Sequence, residues 1–171
     1  MVQPIVDVSP PKWHLGHTTW FFEKMILENY FEGYKVFHKD YNYVFNSYYE
    51  TIGKRVLRTD RGNLTRPTTE EVYKYRAYVD EQLLEFLDQT NELTDDLAKL
   101  LELGLQHEQQ HQELLVYDIK YILGNNPLFP PYLDAEPSEV PESRSLDFLA
   151  VSGGNYKIGF DGMGFCFDNE Y

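Results

Sequence analysis

Two histidines four residues apart, in Gly104-Leu105-Gln106-His107-Glu108-Gln109-Gln110-His111-Gln112-Glu113, constrain this chain more than any other stretch. On a helix, residues i and i+4 stand one above the other, so both imidazoles can reach a single ion. The same face carries Leu100, Gly104, Leu114 and Asp118. The histidines therefore lie on an apolar stripe, whereas a surface helix usually turns such residues away from it. Two ordinary core histidines in a Glu/Gln-rich helix are the plainer explanation. The spacing is that of paired helical metal ligands and favours a metal site, with a third ligand to be found elsewhere.

Start and stop signals place the remaining helices. Ser9-Pro10-Pro11 reads as a capping serine with prolines in the first turn, opening a helix from Lys12 to about Tyr30, with Gly33 as its stop. Its apolar residues surround the axis instead of lining one stripe, the mark of a helix buried in a bundle. Periodicity therefore cannot choose between His14 and His17 as the inward histidine. Thr68-Thr69-Glu70-Glu71 is a capping box, followed by a helix to about Leu87 with Val72, Arg76, Val79, Leu83 and Phe86 at heptad-like spacing. Thr94-Asp95-Asp96 caps a third helix that carries the paired histidines and ends near Leu123-Gly124.

Between these helices, 34–66 reads as a long aromatic loop with turns, and its aromatic content argues for packing. It also concentrates positive charge, in Lys54, Arg55, Arg58, Arg61 and Arg66, within an acidic chain. Either these cations are solvated or ion-paired, or Arg58, Arg61 and Arg66 bind substrate carboxylates. Residues 125–147 form a linker rich in proline and acids. Beyond it, Phe148-Leu149-Ala150-Val151, Ser152-Gly153-Gly154-Asn155 and Tyr156-Lys157-Ile158-Gly159 read as strand, turn, strand. That pattern is expected to open a second, truncated domain over 148–171, after a helical metal-binding domain over 1–124. The chain as given is expected to be a fragment.

The net charge of −13 argues against nucleic acid or an anionic membrane as partner. The single cysteine, Cys166, excludes an intramolecular disulfide framework. No apolar run is long enough to span a bilayer and no signal peptide opens the chain, so a cytoplasmic protein is expected. Small molecules are the expected partners.

His107-Glu108-Gln109-Gln110-His111 also matches HExxH, the helix motif of zinc proteases, with Glu108 as general base. Such a protease needs a third ligand downstream. Here the downstream candidates are Glu136, Glu139 and Glu142, in the proline-rich linker, while the other histidines (His14, His17 and His38) all lie upstream. That order suits a bundle site better than a protease cleft. Three neutral nitrogens from two helices leave open positions on Fe(II), Zn(II) or Ni(II), and keep the ion's charge available to stabilise a thiolate.

The segment Ser9-Pro10-Pro11-Lys12-Trp13-His14-Leu15-Gly16-His17-Thr18-Thr19-Trp20-Phe21-Phe22-Glu23 resembles the first metal motif of the sulfoxide synthases of ergothioneine biosynthesis. Phe45 to Glu50, Arg61 to Thr68 and His107 to Glu113 resemble further blocks of that family, in the same order. Phe148 to Tyr171, with Gly164-Phe165-Cys166-Phe167-Asp168-Asn169-Glu170, resembles the start of its second domain, similar to the formylglycine-generating-enzyme fold. The resemblance implies a mainly α protein: a DinB-like four-helix bundle, then the beginning of an α+β domain. It implies Fe(II) held by His17, His107 and His111, with His14 a neighbour and not a ligand, and Glu108 and Gln110 facing solvent. The implied reaction joins the sulfur of cysteine or gamma-glutamylcysteine to hercynine (trimethylhistidine) with dioxygen, giving a sulfoxide. The family's catalytic tyrosine belongs to the second domain beyond this chain. A DinB-like thiol transferase using zinc or nickel is the nearest alternative, ahead of a zinc protease or a non-catalytic bundle.

Overall fold

The computed structural model describes residues 2–47, 53–134 and 147–170; Tyr48, Tyr49 and the linker acids Glu136, Glu139 and Glu142 lie outside the described residues. Contacts divide the chain into two units, Met1–Leu133 and Asp134–Tyr171. The first runs past Gly124, where the sequence places the end of its domain. Among the described residues no helix is long and apolar enough to cross a membrane.

Helix α1 (Pro11–Phe21) begins on a proline, which has no N–H to satisfy and has its φ already set. The expected Ser9 cap is absent: Pro10 takes the cap position without a side-chain bond, and the Ser9 hydroxyl instead accepts from Arg61 Nη1 at 2.9 Å. The element continues through a widened π turn (Phe22–Leu27) and a closing turn (Glu28–Tyr30). Trp13, His14, Gly16, His17, Thr18, Thr19, Trp20 and Phe21 are all buried, so α1 is enclosed on every side. Glu23, in the π turn, is buried too. Its carboxylate accepts Tyr75 OH at 2.5 Å, Tyr34 OH at 2.7 Å and the Phe37 N–H at 2.9 Å, the satisfaction that a buried carboxylate requires.

The segment after α1 is more ordered than a loop with turns. It contains α2 (Tyr41–Phe45) and a 3-10 turn (Arg58–Asn63). Two indoles of α1 hold α2: Trp20 Nε1 donates to Asn42 Oδ1 at 2.8 Å and Trp13 Nε1 to the Val44 carbonyl at 3.3 Å. Gly16 lets α2 approach, because a Cβ there would stand 2.1 Å from Phe45 Cε1.

Helix α3 (Thr69–Gln89) opens on the expected capping box, with Glu71 N–H to Thr68 Oγ1 at 3.2 Å and Thr68 N–H to Glu71 Oε2 at 2.6 Å. Such caps contribute about 1 kcal/mol. Helix α4 (Asp95–Gly124) is capped by Thr94, which accepts from Leu97 N. Trp13, Trp20, Phe21, Ile26, Leu27, Phe45, Val72, Tyr75, Val79, Phe86 and Leu97 form the core where α1, α3 and α4 meet. Each large apolar side chain sequestered there contributes about 1.5–3 kcal/mol.

In the second unit, residues 147–170 contain turns and extended chain but no strand, so the expected strand-turn-strand over 148–159 is not formed. Phe148, Leu149 and Ile158 are 100%, 96% and 97% exposed. Two short strands without a third or a covering helix do not bury enough to hold together, which accounts for the difference.

Candidate metal centre

Helix α1 brings His17, and α4 brings His107 and His111, to one point. One ring nitrogen from each lies within 4.8 Å of the others. The rings stand steeply to one another, with centroids 4.9 Å (His17–His107), 4.8 Å (His17–His111) and 4.6 Å (His107–His111) apart.

Each imidazole is held differently. His17 Nδ1 donates to the Phe45 carbonyl at 2.6 Å. A carbonyl only accepts, so the proton sits on Nδ1 and Nε2 is left bare. The ring is also sandwiched between Trp13 (4.5 Å, 16°) and Trp20 (5.5 Å, 13°). Arg61 caps that stack, its Cζ 3.4 Å above the Trp13 ring, and donates to the Ser9 and Ser47 hydroxyls. His111 Nδ1 lies 2.9 Å from His14 Nδ1, and His14 Nε2 lies 2.9 Å from Asp118 Oδ2. His107 packs against Phe21, at 5.0 Å between centroids, and its buried Nδ1 has no hydrogen-bond partner. Gly104, three residues before it, admits the aromatic pair of α1: a Cβ there would meet Phe22 Cε1 at 2.8 Å and Phe21 Cε1 at 3.1 Å.

Burial keeps all three rings neutral. It pushes His17 well below its ordinary value, reinforced by His111 and His107. Burial alone lowers His107 to about 4. His111 falls to about 3, through burial first and then the nearby His107, His14 and Arg61. His14 is lowered by burial too, although Asp118 opposes the shift. Neutral imidazole is the form that binds a metal ion.

The residues present fit such an ion. Metal–imidazole bonds of about 2.0–2.1 Å need lone pairs that stand close together, and here one nitrogen of each of three neutral rings lies within 4.8 Å of the others.

Of the three candidate arginines, only Arg61 is buried against this centre. Arg58 donates to the Asp7 carbonyl at 2.6 Å and Arg66 to the Thr65 carbonyl at 3.0 Å, both at the surface. Glu108 does not face solvent as expected. It is partly buried, and Arg76 Nη1 contacts both its oxygens at 3.0 and 3.1 Å, so it is engaged away from the role of a proteolytic base. Gln110 is exposed. Leu114, expected on the inward face, is 41% exposed, since the buried stripe of α4 runs Leu97, Gly104, His111, Asp118. Sequence reasoning missed the Phe45 carbonyl and the two indoles flanking His17. A glycine in mid-helix at position 16, costly unless something packs against it, was the available signal.

No curated protein matches the chain. The profile of the DinB superfamily matches residues 2–115, a span that contains His14, His17, His107 and His111. This helical chain, whose three histidines could bind a metal ion, therefore belongs to the DinB superfamily, which includes metal-dependent enzymes.

Proposed function

We propose that His17, His107 and His111 hold Fe(II), and that this chain provides the metal-binding domain of a sulfoxide synthase of the ergothioneine type. The overall reaction is R–SH + imidazole C–H + O2 → R–S(O)–imidazole + H2O, with cysteine or gamma-glutamylcysteine as thiol and hercynine as imidazole. When bound, the ion supplies positive charge that acidifies a thiol and a redox couple suited to dioxygen. The convergence of three neutral nitrogens, with no carboxylate among them, carries this reading. The ordered sequence blocks around these histidines supply the substrate class.

The chain's own residues would orient and enclose. Phe45 and the indoles of Trp13 and Trp20 fix His17, while Arg61 lends positive potential to an anionic thiol or carboxylate arriving beside the stack. Arg58 and Arg66 hold backbone carbonyls and would reach a substrate only by leaving them. Residues 148–171 are read as the opening of a formylglycine-generating-enzyme-like domain, on the resemblance of Gly164 to Glu170.

All three histidines lie within the stretch matched by the superfamily. That favours one alternative, a zinc- or nickel-dependent thiol transferase needing neither dioxygen nor a second domain. Anaerobic Fe(II) titration of the chain and of His17→Ala tests the centre: one iron per chain is expected, lost in the variant. Retention in the variant would revive a site built on His107 and His111 alone. Dioxygen uptake dependent on both hercynine and thiol is expected on the favoured reading; thiol consumption without dioxygen would establish the transferase.

A further inference from the structure

We propose that His14 and Asp118 act as a positioning relay behind His111, fixing which ring nitrogen His111 offers and strengthening it as a ligand. The inference rests on the metal-centre reading above and assigns two residues that lie outside the ligand set.

Proton placement follows from the contacts. Nδ1 of His111 faces Nδ1 of His14 at 2.9 Å, so Nε2 is the nitrogen left for an ion. Nε2 can bind only when it carries no proton, which puts the proton of His111 on Nδ1, donated to His14. His14 Nδ1 must then be bare, and its own proton lies on Nε2, donated to Asp118 Oδ2 at 2.9 Å. The reverse arrangement, with His14 donating to His111, protonates Nε2 and closes the ligand position. Asp118 favours the first arrangement because a carboxylate offers only acceptors. It is itself held in place by the Ser9 N–H, which donates to the same oxygen at 2.9 Å. His14, Asp118 and Ser9 are all buried, so water does not substitute for any member.

The placement in the fold is economical. His111 and Asp118 lie seven residues apart on the buried face of α4, and His14 is three residues before His17 on α1. The relay thus couples the two ligand-bearing helices through a polar contact beside the centre. Carboxylate–histidine pairs behind a metal ligand orient its ring and raise its basicity, and losing one typically weakens metal binding 10–100-fold.

Co(II) serves as a spectroscopic probe, titrated in competition with a chromophoric chelator, with metal-free thermal stability recorded for every variant. His14→Phe fills the space but cannot accept from His111; Co(II) binding about 10–100-fold weaker and displaced visible bands are expected. His14→Gln offers an amide oxygen in the same direction and should recover most of the affinity. A space-filling role would instead spare His14→Phe, so unchanged affinity and bands in that variant overturn the relay. Should His14→Phe fail to fold, Asp118→Asn decides. It keeps an acceptor but loses the charge, so displaced bands with a smaller loss of affinity are expected, and wild-type bands and affinity overturn the proposal. Absence of Co(II) binding by the unaltered chain overturns the metal-centre reading itself, a result distinct from loss of the relay alone.

Discussion

The two walls of the metal centre hold their imidazoles by different means. On α1, His17 is clamped by aromatic stacking and one backbone carbonyl, with Trp13 and Trp20 parallel to its faces and Phe45 at its edge. On α4, His111 is held chiefly by polar side chains, through His14 to Asp118, with the Trp13 ring tilted against it at 6.1 Å between centroids. The first wall gains its stability from buried apolar area and tolerates little change of shape. The second depends on hydrogen-bond chemistry and tolerates little change of polarity. A site built from both is rigid where it meets the core and electronically adjustable where it meets the helix face.

Acid attacks both walls together and should give the largest effect. With folded values near 4 for His107 and 3 for His111, and His17 lower than usual as well, the unfolded chain takes up protons that the folded one refuses. This contribution is intact above about pH 6.5 and shrinks as pH falls from there toward 3. Chemical denaturation of the metal-free chain across that range should show stability rising with pH; a flat profile would contradict the buried neutral rings. Trp13→Ala strikes chiefly the aromatic wall, although Trp13 also borders His14 and His111. Removing a buried indole costs about 3–5 kcal/mol and should also weaken metal binding, because the His17 ring loses its support.

Gly16→Ala and Gly104→Ala make the same addition on opposite walls. At Gly16 the new methyl meets the Phe45 ring at 2.1 Å, at Gly104 the Phe22 ring at 2.8 Å, so each overpacks by about 1–3 kcal/mol with Gly16 the costlier. Thermal melts should rank them so, and equal melting temperatures would show that Phe45 can move aside. Glu108→Gln should do least. Its ion pair with Arg76 is worth about 1 kcal/mol or less, and metal affinity should be unchanged; loss of affinity would place Glu108 in the centre after all.

The α4 wall was largely legible in the sequence. The cap at Thr94 is local chemistry, and the stripe through Gly104, His111 and Asp118 repeats at helical spacing. The α1 wall was not. A helix buried on all sides has no apolar stripe to orient His14 against His17, and a backbone carbonyl leaves no trace in residue type. Ser9 shows the same limit: its sequence context is that of a cap, yet tertiary partners claim both its hydroxyl and its N–H. Phe148 to Gly159 read as strands because alternation encodes a face, while the pairing that makes a strand depends on neighbours that a local pattern does not specify.

The path of the chain after α1 has a consequence for how such a centre is assembled. From the closing turn onward the segment retraces the helix it has just left. Glu23 holds Tyr34 and Phe37, Trp20 holds Asn42, and Gly16 receives Phe45, whose carbonyl orients His17. These contacts span few residues, so their loop-closure cost is small and they can form early. During synthesis, one third of the ligand set can be oriented by nearby chain before α4 leaves the ribosome. The remaining two histidines, adjacent on a single helix, then arrive as one piece.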